Sequence, residues 1–179
     1  PCPKRRVYRT LYQMTATQGI PTTKRVVVIT GGSSGIGPPL AADLLRRGDV
    51  VGILAHDPVV LFAAEKELCE ISPDVLAILC DVTEQDDVAS AFQQFLERFG
   101  RIDVLVNNAG WATYRTFEET SLDELLKIVD VNFVGVVRTL KAVLPSMISR
   151  RSGHIVNIAS LAGAMLITPN GTYCAAKQA

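Results

Sequence analysis

The chain has no excess of either charge. Its 18 basic and 18 acidic side chains balance, so no field of one sign exists to gather nucleic acid or an acidic surface. It has no apolar run approaching the roughly 18 residues of a membrane span, and no signal-peptide core. Its four cysteines (Cys2, Cys69, Cys80, Cys174) show neither C-x-x-C nor His/Cys ligand spacing. That pattern excludes an evident metal site and fits reduced thiols in a cytoplasmic protein. Repeats, low-complexity tracts and internal linkers are missing too. Acidic residues are missing from everything before Asp43, where Lys4, Arg5, Arg6, Arg9, Lys24 and Arg25 stand. Residues 1–13 also lack apolar periodicity and precede Met14, which looks like a natural start. The segment 1–23 therefore reads as a disordered N-terminal extension, with an Arg-rich transit peptide as the weaker reading.

What remains, residues 24–179, is enough for one domain with a real core. Strand-like apolar runs alternate with helical patterns along it. Strands are expected at Arg25–Thr30, Val50–Ala55, Val75–Cys80, Ile102–Val106 and His154–Ala159. Helices are expected at Leu40–Arg47, Leu61–Ile71, Glu84–Phe99 (capped by Thr83) and Leu122–Ser149 (capped by Ser121), with another beginning near Tyr173. Pro145 predicts a kink or break in the long helix. Near-continuous apolar strands alternating with helices give an α/β fold, a doubly wound parallel sheet of Rossmann-like type covered on both faces.

The first strand ends in Thr30-Gly31-Gly32-Ser33-Ser34-Gly35-Ile36-Gly37. Strand, glycine loop and helix in that order bring backbone N–H groups and a positive helix end to one point, which suits nucleotide phosphates. The spacing G-x-x-x-G-x-G differs from the commonest dinucleotide fingerprint, yet the glycines can do the same work of tight turn and close approach. No Gly-Lys-Ser/Thr follows, which disfavours a Walker-type site. Pro38-Pro39 stand at the helix entry, where missing N–H groups matter little, but each restricts the residue before it, so local distortion is expected.

Tyr173 and Lys177 are four apart, on one helical face, and Ser160 ends the fifth strand thirteen residues before the tyrosine. A tyrosine working as general acid/base near neutral pH must drop about three units, or about 4 kcal/mol. A lysine ammonium about 4 Å away supplies about that much at an effective dielectric near 20. The pair is chemically sufficient, although such pairs are common on ordinary helices.

Taken together, the Thr30–Gly37 loop, Asn107-Asn108-Ala109-Gly110, Asn132, Ser160 and Tyr173-Cys174-Ala175-Ala176-Lys177 resemble the classical short-chain dehydrogenase/reductase family in order and separation. The resemblance covers residues 24–179 and implies an oxidoreductase that moves a hydride between NAD(P)(H) and a carbonyl or secondary alcohol. It implies that Gly31, Ser33, Ser34, Gly35, Ile36 and Gly37 hold the pyrophosphate and adenosine ribose, and that Asp81 and Val82 contact the adenine. Asn108, Ala109 and Gly110 would line the cofactor wall, with Asn108 equally able to hold backbone. Tyr173 would exchange the proton, Lys177 would lower its pKa and bind the nicotinamide ribose, Ser160 would polarise the substrate oxygen, and Asn132 would hold a relay water. Cys174 and His154 read as structural.

Family members that use NAD place an acid at the end of the second strand, and NADP users a basic residue just after it. Here Ala55, His56 and Asp57 occupy those places. The missing acid leans the expectation to NADP(H), with NAD(H) open, because Asp57 could repel a 2′-phosphate or read the ribose. Trp111, Tyr114, Leu161, Met165 and Leu166 suggest a small apolar substrate, Trp111 being equally suited to packing. The family pattern continues past Lys177, so the chain reads as C-terminally truncated, with its fifth strand an uncovered edge and its full-length parent a homodimer or homotetramer. The alternative function is a nucleotide-binding domain without turnover.

Overall fold

The computed structural model describes residues 24–165 and 171–179. The expected extension over 1–23, with Cys2, and the candidate pocket residue Leu166 lie outside the described residues. Five parallel strands, β1 (Val26–Thr30), β2 (Val50–Ala55), β3 (Val75–Leu79), β4 (Val104–Asn107) and β5 (His154–Asn157), form one sheet in the order β3-β2-β1-β4-β5. Between them run α1 (Gly37–Arg46), α2 (Pro58–Ile71) and α3 (Gln85–Phe99). A long helical stretch follows β4, made of α4 (Leu122–Val129), a π turn (Asp130–Val134) and α5 (Gly135–Arg150). After β5 come a 3₁₀ turn (Leu161–Gly163) and α6 (Gly171–Gln178).

Side chains alternate across each strand, so the sheet separates two cores. Val27, Ile29, Val51 and Ile53 face Ala41, Ala42 and Leu45 of α1 and Leu61, Ala64 and Leu68 of α2. Val28, Leu54, Ile78 and Leu105 face Val88, Ala91, Phe92 and Phe95 of α3 and Val143 and Met147 of α5. The doubly wound parallel sheet is thus realised. Strand order reverses between β1, which continues to β2, and β4, which pairs with β1 on the other side. A reversal of this kind opens a crevice at the carboxyl ends of the two strands.

Several local expectations need correction. The long helix is not broken at Pro145; α5 runs through it, and the irregularity lies at the π turn, where Gly135 N–H bonds to Asp130 O. Thr83 does not cap α3. Its N–H and hydroxyl both donate to Asp81 Oδ1, at 2.9 and 2.8 Å, so the pair closes a local turn and Glu84 takes the cap position. Both prolines are accommodated in the first turn of α1, which starts at Gly37, three residues earlier than its apolar pattern indicates. Ser121 does cap α4, in a full capping box with Glu124. The stretch Leu122–Arg150, helical over 29 residues, is long and apolar enough to cross a membrane by length and composition, a feature that a search for unbroken apolar runs misses. In this fold its inner residues pack on the sheet. All four residues of the edge strand β5 are exposed.

At the amino ends of β1 and β4, away from the crevice, Asp103 joins three elements. Its carboxylate accepts from Val26 N–H at 2.9 Å, from Arg101 Nε at 2.9 Å and from Arg150 Nη1 at 3.3 Å. Burial pushes its pKa up, but the Val26 amide and the two guanidinium groups outweigh burial and hold it below the ordinary aspartate value. A depressed carboxylate stabilises the fold in full above its unfolded value. That contribution is lost as the pH falls through the folded value, below about pH 4. Asp103→Asn is expected to cost about 2 kcal/mol at pH 7 and to flatten the acid limb of a thermal-unfolding pH profile. An unchanged limb would remove Asp103 from this role.

Candidate active site

The crevice is built from two loops. After β1, Thr30 is buried and its hydroxyl oxygen accepts the amides of Asn108 at 3.1 Å and Ala109 at 3.0 Å. The Asn108 side-chain amide donates back to Thr30 O at 3.1 Å and Gly31 O at 2.9 Å. The glycine loop and the Asn107–Gly110 segment are therefore clamped from both sides. The resemblance points to Asn108 but gives no role to Thr30, whose only signal is a hydroxyl at the end of an otherwise aliphatic strand.

Within the loop, Gly37 packs so closely that a Cβ there would lie 2.6 Å from Gly31 O. Gly35 takes the left-handed conformation, φ 56°, and Ile36 the right-handed one, φ −74°. Alternation of this kind turns successive amides into one concavity. Gly32 N–H bonds to Leu54 O and Gly37 N–H to Ser34 O, whereas the amides of Ser33, Ser34, Gly35 and Ile36 find no partner among the described residues. Donors grouped this way suit a phosphate. Beside them, His56 is exposed. Asp57 caps α2, its Oδ1 accepting from Val59 N–H at 2.8 Å and Val60 N–H at 3.2 Å. Asp81 is partly buried, and Val82 is buried with its carbonyl near Arg138 Nη1 at 3.3 Å.

Asn107, at the end of β4, donates to Asn157 Oδ1 on β5 at 2.8 Å and accepts from the Thr139 hydroxyl of α5 at 2.8 Å. This polar cross-link fixes the long helix over the strand ends. The π turn then presents Asn132, 5% exposed, whose Nδ2 donates to Trp111 O at 2.6 Å and Ile128 O at 2.8 Å. Its Oδ1 is buried with no partner among the described residues. Leaving a buried acceptor unpaired costs about 1–3 kcal/mol, so such an atom calls for a donor. At Gly110 a Cβ would lie 3.1 Å from Asn132 Oδ1 and 3.8 Å from Lys177 Nζ, so acceptor and ammonium converge on the space that the glycine keeps open.

Lys177 reaches that space from α6. Its Nζ donates to Ile158 O at 3.2 Å and lies 5.8 Å from the Tyr173 ring centroid, and burial lowers its pKa. Gly163 joins α6 to the 3₁₀ turn, since a Cβ there would lie 2.5 Å from Lys177 O. Ser160 caps that turn, its Oγ accepting from Ala162 N–H at 3.2 Å. Asn132, Lys177 and the Ser160 turn are thus gathered at the carboxyl ends of β4 and β5, with Tyr173 half-buried on the same helix as the lysine.

Residues 25–179 match the family model described as short chain dehydrogenase. The chain belongs to that family. An uncharacterized oxidoreductase of Staphylococcus saprophyticus is 36% identical over 156 residues, covering 87% of this chain and 67% of its own. Mouse dehydrogenase/reductase SDR family member 7 is 35% identical over 161 residues, 88% of this chain and 48% of its own. Among solved structures, actinorhodin polyketide ketoreductase with NADPH aligns with a TM-score of 0.84 at 34% identity, over 89% of this chain and 62% of that one. NAD⁺-bound xylitol dehydrogenase aligns at 0.82 and 30% identity, over 86% and 60%. The chain therefore spans between about half and two-thirds of the length of these relatives.

Short-chain dehydrogenases are oxidoreductases with a nucleotide-binding fold. Burial, then Asp87 and Asp81, push the Cys80 thiol up to about 12, and Cys174 is buried. No cluster of three potential metal ligands occurs among the described residues. The expected apolar wall is only loosely assembled. Tyr114, Leu161 and Met165 are exposed, and Lys127 Nζ lies 5.0 Å from the Trp111 ring centroid. Beside Tyr173 lies a shallow depression whose lining mixes polar Thr113, Arg115 and Thr120 with apolar Phe117, Leu125 and Ile128.

Proposed function

We propose that the protein is an NAD(P)(H)-dependent oxidoreductase acting on a small carbonyl or secondary alcohol, with Tyr173 as its general acid/base. The observation that carries this reading is the meeting of Asn132 Oδ1 and Lys177 Nζ at Gly110, with Tyr173 on the same helix as the lysine. The unpartnered amides of Ser33, Ser34, Gly35 and Ile36 fit the cofactor's pyrophosphate, with Gly31 and Gly37 keeping the approach open. Asp81 and Val82 fit the adenine side, Ala109 and Gly110 the wall beside the ring. A bound nicotinamide supplies or accepts the hydride.

The chain's own residues then handle orientation and the proton. Ser160 donates a hydrogen bond from its hydroxyl to the substrate oxygen and keeps its proton, its Oγ being held by the Ala162 amide. Tyr173 gives its phenolic proton to that oxygen in reduction, or takes it in oxidation. The Lys177 ammonium, half-buried, stabilises the phenolate that reduction leaves and binds the nicotinamide ribose. Asn132 Oδ1 accepts from a relay water that returns the proton to Lys177. A cytoplasmic setting belongs to the same proposal, as does a homodimer or homotetramer, for which Leu122, Leu126, Val129 and Phe133 form an exposed apolar line on the long helix.

A second reading, cofactor binding without turnover, is supported by the exposure of Tyr114, Leu161 and Met165, which leaves the substrate side open. Tyr173→Phe separates the two. It is expected to abolish NAD(P)H oxidation with a panel of ketones, a loss of at least a hundredfold, while NADPH affinity stays within a factor of about two. Binding without turnover by the unsubstituted chain would favour the second reading, and equal turnover by the variant would sink the first.

For the cofactor, NADP(H) is the proposed preference. No carboxylate ends β2, and Asp57 already serves α2 as its cap. His56→Arg places a permanent fork of donors at the 2′-phosphate position and is expected to tighten NADPH, not NADH, about tenfold. Equal tightening of both, read by fluorescence titration, would show that His56 does not face the 2′ position.

A further inference from the structure

Pro38 and Pro39 occupy the second and third positions of α1, behind the glycine loop. An ordinary helix start offers its first N–H groups to an anion, since none has an intrahelical partner. Here the first turn has none to offer. Gly37 N–H is bonded to Ser34 O at 3.0 Å, the prolines have no N–H, and Leu40 N–H is bonded to Ile36 O at 3.2 Å. The unpartnered donors stop at Ile36.

We infer that the helix end of this anion site is closed by its own sequence, and that a diphosphate is held by the loop amides of Ser33 to Ile36 alone. The inference rests on the nucleotide-binding reading proposed above and adds to it which donors act. Its consequence is a site in which phosphate contacts are weak relative to those of the adenosine. Two prolines with fixed φ also set the helix entry before any ligand arrives, so the loop amides stand in place without the first turn having to order.

The placement of Gly37 supports this. Its close packing under Gly31 O puts the start of α1 directly beneath the loop. The loop and the first turn of α1 carry no cationic side chain of their own. The residues at the loop are serines, glycines and Ile36, and the first basic residue of α1 is Arg46, in its last turn.

The test is isothermal titration of the 179-residue chain and its Pro38→Ala, Pro39→Ala and doubly substituted variants with ADP-ribose, ADP and adenosine. Alanine is well tolerated in a first turn, and circular dichroism with the melting temperature checks that each variant folds. Restoring the two amides is expected to tighten ADP-ribose and ADP about tenfold in the double variant, and to leave adenosine unchanged. If all variants bind ADP-ribose with the parent's Kd, the helix end contributes nothing and the inference fails while nucleotide binding stands. If adenosine tightens equally, the effect does not pass through phosphate and the inference also fails. Absence of binding by parent and variants alike overturns the nucleotide-binding reading and this inference together.

Discussion

The site depends on one exchange of hydrogen bonds between two strand ends. Parallel strands terminate with their last carbonyls and the following amides unpaired, and at the switch point two such ends must meet without a sheet to join them. Thr30 and Asn108 resolve this. A hydroxyl takes two amides from the β4 side, and a carboxamide serves two carbonyls on the β1 side. Four otherwise orphaned backbone groups are satisfied in a region where each would cost about 1–3 kcal/mol if left unpaired. The glycine loop hangs from that clamp, so its free amides inherit a fixed position from β1 and β4.

The second half of the site is held less directly. Asn107 ties β4 to Asn157 of β5 and to Thr139 of α5, and through α5 it positions the π turn that carries Asn132. A π turn widens the helix by one residue per bond, which lets Asn132 use its Nδ2 on Ile128 O and Trp111 O while its Oδ1 faces away from the helix's own ladder. In a half-buried setting the lysine's charge is costly, which is why burial lowers its pKa. The same low dielectric strengthens any phenolate–ammonium attraction next to it. Desolvation of Lys177 and its usefulness to Tyr173 are therefore two results of one placement.

What the sequence makes legible follows from local period and from joint spacing. β-Branched runs mark β1 to β4, and Val88, Ala91, Phe92 and Phe95 mark the buried face of α3, because burial on both sides of a sheet leaves that signature directly in the residues. The gathering of Asn132, the Ser160 turn and Lys177 is legible only through the joint pattern, since each residue alone is ordinary. Other features leave no local trace. Asp130–Val134 keeps a helical composition, so nothing announces its wider turn, while the conspicuous Pro145 sits exposed in an unbroken helix. The Asp103 junction draws on Val26, Arg101 and Arg150, partners as far as 77 residues away. Asp57 followed by Pro58 does carry a readable helix-start signature, and the aspartate caps α2.

The two ends of the site also differ in how they are secured. The glycine-loop side rests on β1 and β4, flanked on both faces by packed cores, and on main-chain amides that any residue but proline supplies. The proton-transfer side rests on α6, eight residues long, a length that cannot hold itself helical in water. Its order comes from packing, with Gly163 against Lys177 O, Lys177 Nζ on Ile158 O, and Cys174 and Ala176 buried beneath. Each of those contacts lies within one turn of the residues proposed to move protons. Stability and the proposed proton transfer therefore share the same few atoms on α6, whereas the donors proposed for phosphate are main-chain amides of the glycine loop. Changes in packing beneath α6 reach Tyr173 and Lys177 first, and those loop amides last.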